Sequence, residues 1–320
     1  MSNHANIPIF IPHVGCPNGC VFCSQNKITG QEKPPSVNEV IQNVEKSIVS
    51  LDGADAEIAF FGGSFTGIPF LKQKEYLEAV YPYVKSGMVS GIRLSTRPDY
   101  INEKIIDNLK KYSVKCIELG VQSMCDDVLS ASKRGHTASD VEKASYLIKS
   151  SSIELGLQMM IGLPCDTPEK SCFTASEIVR LDADCARIYP TCILYNTELY
   201  EMYMQGQYNP LELEEAVETS ARVYKILADG GVKVIRCGLQ ATDTLSDDIF
   251  KGPYHPAFGE MVKSRIKRDE FEALILAEGH KKDITLEVPK NEISQFVGQK
   301  RCNIIYLENK YKTKISIKQI

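Results

Sequence analysis

Short apolar segments alternate with amphipathic segments along most of the chain, and this alternation constrains the fold more than any other feature. The apolar segments are mostly continuous, which is typical of strands buried on both faces of a parallel sheet. Six strands are predicted, at residues 7–12, 57–61, 91–95, 114–119, 155–161 and 185–189. Segments with helical apolar spacing follow them, at residues 36–50, 71–84, 102–110, 139–149, 168–180 and 211–228. With an extra strand at 232–236, the pattern predicts an α/β fold with a partial (β/α)6 barrel over residues 1–250.

Polar or glycine-rich loops follow five of the six predicted strands. They lie at residues 15–24, 62–66, 95–99, 120–123 and 160–164. In parallel βα folds, the loops after the carboxyl ends of the strands meet at one edge of the sheet and carry the chemistry. We therefore expect a functional site at this edge.

The first of these loops contains Cys16, Cys20 and Cys23 within eight residues. Glycine and proline between the first two cysteines disfavour a helix, so the sulfurs can surround a common centre. Thiolates at this spacing are ligands for a soft metal ion or an iron–sulfur cluster. The next cysteine along the chain is Cys116, so the loop has no local fourth ligand. A four-iron cluster held by three thiolates leaves one iron open to a small molecule.

Other interpretations of the cysteines remain open from the residues alone. The three thiols and His13 are also a possible zinc site, and inert buried cysteines are a second alternative. The total of eleven cysteines is odd, which disfavours a disulfide framework and favours a reducing compartment. Residues 1–6 lack the features of a secretory signal, and no apolar run is long enough to span a membrane. We therefore expect a cytoplasmic protein with no membrane partner.

The other strand-end loops offer groups suited to a polar ligand. The paired glycines Gly62 and Gly63 allow a ligand to approach the backbone, although a simple tight turn needs them equally. Hydroxyl and amide side chains suit ribose hydroxyls and adenine edges, or else are satisfied by core neighbours. They are Ser95, Gln122, Ser123 and Gln158. Arg97 and Arg134 suit a carboxylate or a phosphate, with pairing of Arg97 to Asp99 as the alternative.

The spacing Cys-x3-Cys-x-aromatic-Cys resembles the signature of the radical S-adenosylmethionine (radical SAM) enzymes. The resemblance implies a 4Fe-4S cluster on Cys16, Cys20 and Cys23, with S-adenosyl-L-methionine (SAM) on the open iron. It also implies one-electron cleavage of SAM to methionine and a 5′-deoxyadenosyl radical, with an electron donor such as ferredoxin or flavodoxin. The residues expected to bind SAM are Phe22, Gly62, Gly63, Ser64, Ser95, Gln122, Ser123, Arg134 and Gln158.

Further motifs resemble the catalytic subunit family of Elongator over about residues 7–245. They come in the same order, at residues 61–65, 96–99, 118–123, 133–137, 158–164, 189–191 and 235–240. That family attaches an acetyl-derived group to carbon 5 of wobble uridines in transfer RNA (tRNA), and its members carry a C-terminal acetyltransferase domain. Too few residues follow the predicted barrel for such a domain. The resemblance therefore implies an RNA partner, with tRNA as the first expectation, but no acetyl donor.

Residues 251–320 predict a helix followed by a small α+β unit. Residues 279–320 contain nine Lys or Arg and four Asp or Glu, a net charge of +5, whereas the preceding 278 residues carry −9. A basic segment on an acidic body favours a polyanionic partner, although a solvated surface needs none. The predicted strand–helix–helix–strand order, with a glycine loop between the helices, resembles the core of a K-homology (KH) domain, which implies RNA binding. The expected RNA contacts are Lys281, Lys282, Gly298, Lys300 and Arg301.

The KH-like loop ends in Arg301 where the KH motif has a second glycine, and a unit that only packs on the barrel is the alternative. Two other functions also stay open. One is a radical enzyme acting on a small molecule, similar to the oxygen-independent coproporphyrinogen oxidases, whose further cysteine is absent at Ser24 and Gln25. The other is a non-catalytic RNA-binding protein with a structural metal site. Analysis of iron and sulfide separates a cluster from zinc.

Overall fold

The computed structural model describes residues 4–12, 16, 19–24, 33–51, 55–239, 247–277, 282–290 and 292–320. Its largest feature is a seven-stranded sheet in which all neighbouring strands are parallel. The strands in chain order are β1 (His4–Ile11), β2 (Asp55–Gly62), β3 (Gly91–Thr96), β4 (Val114–Gln122), β5 (Glu154–Ile161), β6 (Cys185–Pro190), β7 (Ile193–Leu194), β8 (Lys233–Cys237), β9 (Ile249–Lys251), β10 (Asp283–Val288) and β11 (Lys314–Gln319). The large sheet has the order β1-β2-β3-β4-β5-β6-β8 and curls into a half-barrel.

Helices connect the parallel strands and cover the outer face of the sheet. In chain order they are α1 (Val37–Ser50), α2 (Phe70–Lys85), α3 (Glu103–Lys111), α4 (Asp126–Ala131), α5 (Ala138–Ser150), α6 (Pro168–Arg180), α7 (Glu198–Met204), α8 (Leu213–Asp229), α9 (Phe258–Ala277), α10 (Ile293–Val297) and α11 (Cys302–Tyr311). Local sequence sets several of their starts. The Ser36 hydroxyl accepts a hydrogen bond from the amide of Glu39, whose carboxylate accepts one from the amide of Ser36. This reciprocal cap satisfies two amide groups that the first turn of α1 leaves without partners.

The two faces of the curled sheet differ because side chains alternate along each strand. The outward side chains form the main core with the helices, and Ile58, Leu94 and Ile117 are completely buried there. Each such side chain contributes about 1.5–3 kcal/mol of hydrophobic free energy. The inward side chains include many charged and polar groups. They are Glu57, Arg93, Ser95, Glu118, Gln158 and Arg187. The inner face is therefore the polar side of the half-barrel.

A smaller unit follows the half-barrel. Its strands β10 and β11 pair in parallel, and the helices α10 and α11 lie between them in sequence. The long helix α9 contributes to both cores: Phe258 and Val262 belong to the core of the half-barrel, whereas Phe271 and Ile275 belong to the core of the smaller unit. The division at residues 250 and 251 stays a prediction.

The predicted fold class is confirmed, with a half-barrel of parallel strands and a C-terminal α/β unit. The extra strand predicted at 232–236 is β8, the seventh strand of the sheet. The sequence interpretation missed the short helices α4 and α7 and the antiparallel pair of β7 and β9, because elements this short show too few periods to detect. In the described part of the chain, every helix is too short or too polar to cross a membrane.

Candidate functional site

The cysteine loop follows β1 and is fixed to the barrel on both sides. The amide of Val21 donates to the carbonyl of Ser132, 3.3 Å away, and the carbonyl of Val21 accepts from the amide of Leu199 at 2.7 Å. The amide of Cys23 donates to the carbonyl of Cys20 at 3.0 Å, which closes a tight turn. The loop is therefore held by backbone contacts with the turn after α4 and the start of α7.

The three sulfurs of the loop lie near one another without being bonded. Burial raises the pKa of the Cys23 thiol to about 12, and the negative charges of Cys20 and Cys16 add to this effect. All eleven cysteines belong to the described residues, and none of them forms a disulfide. Close free thiols that destabilise one another's thiolates are suited to a bound cationic metal centre.

Three thiols of one loop are suited to a single metal ion or to an iron–sulfur cluster, and the two differ in the ligand spacing they need. Zinc holds sulfur ligands at about 2.3 Å, which sets tetrahedral ligands about 3.8 Å apart. Among the described residues, no three His, Cys, Asp or Glu side chains are close enough together to hold a single metal ion. His13, the fourth ligand of the zinc alternative, lies outside the described residues. In an iron–sulfur cluster each thiolate binds a different iron, so the ligand sulfurs of a cluster lie farther apart than those of one zinc ion.

Arg134 connects the cysteine loop to the inner face of the sheet. Its Nη1 atom donates to the Sγ atom of Cys20 at 3.1 Å, and Nη2 donates to the carbonyl oxygen of Gly120 at 2.7 Å. A Cβ atom on Gly120 would lie 3.2 Å from Nη2 of Arg134 and 2.8 Å from Nε2 of Gln122, so this position has little room for a side chain. The sequence predicted a ligand contact for Arg134, and the structure places its guanidinium between a predicted cluster ligand and β4.

The two predicted amide residues meet at the inner face. Gln158 donates from Nε2 to Oε1 of Gln122 at 2.6 Å. Gln122 has a φ of 66°, and the pairing of β4 with β5 shifts register between Gly120 and Gln122. Ser95 lies half-buried on the inner face of β3. Gln122, Gln158 and Ser95 thus lie on the polar face of the sheet, and their contact with a ligand stays a prediction.

Other predicted residues are engaged within the protein. The buried Ser64 hydroxyl contacts the Thr96 hydroxyl at 2.8 Å and accepts from the amide of Arg97 at 3.1 Å. The Ser123 hydroxyl accepts from the amide of Cys125 at 3.1 Å and lies 3.4 Å from the Thr174 hydroxyl on α6. These contacts are typical of structural residues. For both serines they support the alternative interpretation, in which the hydroxyl is a core polar group whose hydrogen bonds are satisfied by neighbours.

The paired glycines join the first two strands beside the cysteine loop. Gly62 has a φ of 105°, and a Cβ atom there would lie 3.1 Å from the carbonyl oxygen of Ile11. The amide of Gly63 donates to that same carbonyl at 2.8 Å. The glycines therefore allow close approach of β2 to the end of β1, where the cysteine loop begins.

Arg97 pairs with Asp99, which was the alternative to ligand binding. Its Nε and Nη2 atoms each donate to one carboxylate oxygen of Asp99 at 2.9 Å. The remaining Nη1 atom is buried and has no hydrogen-bond partner among the described residues.

Phe22, the aromatic residue of the motif, packs on a small apolar cluster with Val21 and Leu199.

A network of buried charges occupies the inner face below this edge. Nη1 of Arg93 donates to Glu118 at 3.1 Å, Nη2 of Arg187 donates to it at 2.9 Å, and Nε of Arg93 donates to Glu57 at 2.9 Å. Burial favours the neutral form of Glu118, but Arg187 and Arg93 outweigh burial and lower the pKa of its carboxyl. The sequence analysis missed this network, although charged residues in apolar strands are a detectable signal.

Aromatic side chains surround the outside of the cysteine loop. The ring of Phe250 lies 5.2 Å from the ring of Tyr195, 4.9 Å from that of Tyr200 and 5.6 Å from that of Tyr203. This aromatic cluster packs with Phe22 in the same apolar core. The sequence analysis missed it because its members come from two separate short elements.

A buried histidine, His136, lies two residues after Arg134 in the chain. Nε2 of His136 is 3.2 Å from the carbonyl oxygen of Val121, and only 4% of the residue is exposed. Burial lowers the pKa of His136 to about 4, with further contributions from Arg134 and Arg97. The imidazole is therefore neutral at pH 7.

The predicted RNA-binding residues lie in the C-terminal unit. The loop between α10 and α11 has positive φ at Gly298 (74°), Lys300 (50°) and Arg301 (61°), and both basic side chains are exposed. A Cβ atom on Gly298 would lie 2.6 Å from the Cys302 sulfur, so the turn favours glycine. Lys282 is also exposed, whereas Lys281 lies outside the described residues.

Two family profiles together match most of the half-barrel. A sequence profile of the Radical SAM superfamily matches residues 10–171, and a profile of the Radical_SAM C-terminal domain matches residues 183–268. The first match includes the cysteine loop and strands β2 to β5, and the second includes β6 and β8.

Curated relatives match over part of their length. The tRNA uridine(34) acetyltransferases of Methanocaldococcus infernus and Methanocaldococcus jannaschii are 33% and 34% identical to this chain over 175 and 172 residues. Each match covers 53% of this chain but only 32% and 31% of the relatives. The chain thus spans about a third of the length of these proteins.

A solved structure shows the same fold. It is the archaeal Methanocaldococcus infernus Elp3 with an N-terminal deletion, which matches with a TM-score of 0.67 and 24% sequence identity. The match covers 84% of this chain and 64% of that chain. The resemblance predicted from the sequence motifs, to the radical SAM region of the Elongator catalytic subunits, is confirmed.

Proposed function

The chain belongs to the radical SAM superfamily, and on that premise we propose that it modifies a base in RNA, with a tRNA wobble uridine as the first candidate. Members of this superfamily use a 4Fe-4S cluster and SAM, so the two predicted cofactors are confirmed. The RNA substrate is supported by the relatives named tRNA uridine(34) acetyltransferase. Because the chain matches about a third of their length, acetyl transfer is not part of the proposal.

We assign Cys16, Cys20 and Cys23 as the cluster ligands, and this assignment rests on one observation. The three thiols gather at the strand-end edge of the half-barrel, and Arg134 links Cys20 to the inner face. When bound, the cluster and SAM supply a 5′-deoxyadenosyl radical that abstracts a hydrogen atom. The donor set consists of soft thiolates without a local fourth ligand, which matches this cofactor.

The residues around the cysteine loop are proposed to bind and orient the ligand and to exclude water from it. Gln122 and Gln158 present an amide pair to the interior, where the amide nitrogen of Gln122 and the amide oxygen of Gln158 remain for a polar ligand. Arg134 donates to the Cys20 sulfur and orients it. The aromatic cluster around Phe250 covers the loop from outside. Phe22 packs within this cluster, so its proposed contribution to SAM binding is positional.

The C-terminal unit is proposed to hold the RNA backbone. Lys300 and Arg301 project from a loop with three positive-φ residues, and Lys282 lies at the start of β10. On the neighbouring helix the Arg268 guanidinium lies 4.4 Å from the centre of the Tyr306 ring, and this ring is 39% exposed. Cations with an exposed aromatic ring suit single-stranded nucleic acid. A unit that only packs on the half-barrel needs none of these features.

The proposal is tested with reconstituted protein under anaerobic conditions. We expect total tRNA to bind and to change the rate of SAM cleavage. The double variant Lys300→Ala/Arg301→Ala is expected to bind tRNA at least about tenfold more weakly, with a salt slope smaller by about 2. The matched control is Lys110→Ala/Lys111→Ala, which removes two exposed charges at the end of α3.

Two results would contradict parts of this proposal separately. If tRNA neither binds nor alters SAM cleavage, the RNA substrate is wrong while the radical SAM chemistry stands. If both double variants weaken tRNA binding equally, the C-terminal loop has no special role and the binding is non-specific electrostatics.

A further inference from the structure

Four residues on neighbouring strands form one row across the inner face. Gly120 on β4 is the register partner of Gln158 on β5, Gln158 is the partner of Arg187 on β6, and Arg187 is the partner of Arg236 on β8. Neighbouring strands lie about 4.8 Å apart, so the row spans about 14 Å. Its first member accepts the hydrogen bond from Arg134, beside the cysteine loop. Its last member lies at the open edge of the sheet.

The two arginines of this row differ in their partners. Arg187 donates to Glu118 through two nitrogens and lies over the Phe61 ring, 5.5 Å from its centre. Arg236 is half-buried, and no carboxylate of the described residues lies within ion-pair distance of it. Glu118 pairs with both arginines Arg93 and Arg187, and Glu57 pairs with Arg93 as well, whereas no carboxylate of the described residues compensates the charge of Arg236.

A half-buried cation beside another cation is unfavourable unless an anion accompanies it. Tyr189 lies close enough to both Arg187 and Arg236 for their charges to act on its phenol. Burial raises the pKa of Tyr189, so the hydroxyl is protonated and can donate at neutral pH. The positive charge of Arg236 and the donor on Tyr189 both favour an oxyanion.

We propose that Arg236 and Tyr189, beside Arg187, form a phosphate subsite inside the half-barrel for the nucleotide that is modified. The identity of the phosphate as part of a nucleotide rests on the function proposed above, whereas the anion subsite rests on the inner-face geometry. A guanidinium presents paired N–H donors that match phosphate oxygens. The subsite lies at the far end of the row from Arg134, so it is separate from the cysteine loop.

The subsite is tested by equilibrium dialysis of the full-length, reconstituted protein against uridine 5′-monophosphate and uridine. We expect the wild type to bind the monophosphate at least about tenfold more tightly, because charge-assisted hydrogen bonds distinguish the two ligands. Arg236→Gln is expected to reduce the affinity for the monophosphate to that for uridine and to leave uridine binding unchanged. Equal affinities in the wild type, or a preference that survives in Arg236→Gln, would overturn the subsite.

The matched control is Arg222→Gln on α8, where the arginine is exposed and its ion pair with Glu169 is 3.7 Å long. This control is expected to retain the full preference for the monophosphate. If it loses the preference as well, general electrostatics explains the binding and the subsite is wrong. Iron content and the midpoint of thermal unfolding show whether each variant is folded. Should Arg236→Gln misfold, Arg236→Lys is the second variant, because it keeps the charge without the paired donors. Its preference for the monophosphate over uridine is expected to be at least about threefold smaller than that of the wild type. An unchanged preference would contradict the subsite.

The tRNA experiment on the same preparations separates this inference from the proposed function. If tRNA stimulates SAM cleavage but the monophosphate has no advantage, the subsite fails and the function stands. If tRNA has no effect but the preference depends on Arg236, the subsite stands for a phosphorylated small molecule and the RNA substrate fails.

Discussion

The buried charges of the inner face and the thiols of the cysteine loop are both unfavourable groups, but the protein treats them differently. Glu118 is hydrogen-bonded by Arg93 and Arg187, and these contacts lower the pKa of its carboxyl. Cys23 lies near Cys20 and Cys16, and their charges together with burial raise the pKa of its thiol. The protein stabilises the charged form in the first region and destabilises it in the second.

This difference separates residues that stabilise the fold from residues that await a ligand. The charges of Glu57, Arg93, Glu118 and Arg187 balance within the protein, so the network needs nothing from outside. Three neighbouring thiols instead need a cation to become thiolates together. Loss of a group from the first region should therefore affect stability, and loss from the second should affect the bound cofactor.

The largest expected effect on stability comes from removing the charge of Glu118. Glu118→Gln leaves two buried guanidinium groups without their shared carboxylate, which is expected to lower the free energy of unfolding by about 3–5 kcal/mol. Urea denaturation measures this change. The control is Glu154→Gln, since Glu154 is 58% exposed and lies 4.0 Å from Arg93. It is expected to change stability by less than about 1 kcal/mol. Equal effects of the two variants would contradict the role of the buried network.

A smaller effect is expected from the pH dependence of His136. Its pKa is about 4 in the folded protein, below the ordinary 6.5, so the unfolded chain binds the extra proton as the pH falls. The stability that depends on neutral His136 is complete above pH 6.5 and is lost toward pH 4. Between pH 6.5 and 5 the loss is about 2 kcal/mol.

The variant His136→Gln tests this explanation because it cannot titrate and can still donate to the carbonyl of Val121. Urea denaturation at pH 6.5 and 5 should show a decrease in stability that is about 2 kcal/mol smaller than in the wild type. The same pH dependence in both proteins would show that other groups cause the acid sensitivity.

The smallest effect concerns the aromatic cluster that covers the cysteine loop. Phe250→Leu keeps an apolar side chain but removes three ring contacts, which is expected to cost about 1–2 kcal/mol. Local opening should rise by about tenfold, measured as faster hydrogen exchange at the amide of Leu199, which is bonded to Val21. Tyr146→Leu is the control, because that ring is 75% exposed on α5. Unchanged exchange in Phe250→Leu would mean that the backbone bonds alone hold the loop.

Sequence alone predicted the features that depend on local pattern. The alternation of apolar strands and amphipathic helices was enough for the half-barrel, and α6 has the predicted bounds 168–180. The cysteine spacing was enough to indicate the cofactor class, since it depends on eight consecutive residues. Both features are encoded within short stretches, so they need no knowledge of contacts between distant parts of the chain.

The features that the sequence analysis missed depend on the register between segments that are distant in the chain. Arg93, Glu118 and Arg187 meet because three separate strands face their charges inward, and Gly156 on β5 leaves room between two of them. Ser64 and Ser123 carry polar groups at the predicted edge, yet their hydroxyls are engaged by Thr96 and Thr174. The sequence showed that these residues follow strands. The direction and the partners of each side chain could be seen only in the folded structure.

The most direct test of the central claim is the iron content and electron paramagnetic resonance spectrum of the anaerobically reconstituted protein. A cluster held by Cys16, Cys20 and Cys23 predicts about four irons per chain and a dithionite-reduced spectrum that changes when SAM is added. Cys23→Ser should lose most of the iron, whereas the control Cys165→Ser, an exposed cysteine after β5, should retain it. An iron-free wild type, a spectrum indifferent to SAM, or full iron content in Cys23→Ser would contradict the assignment.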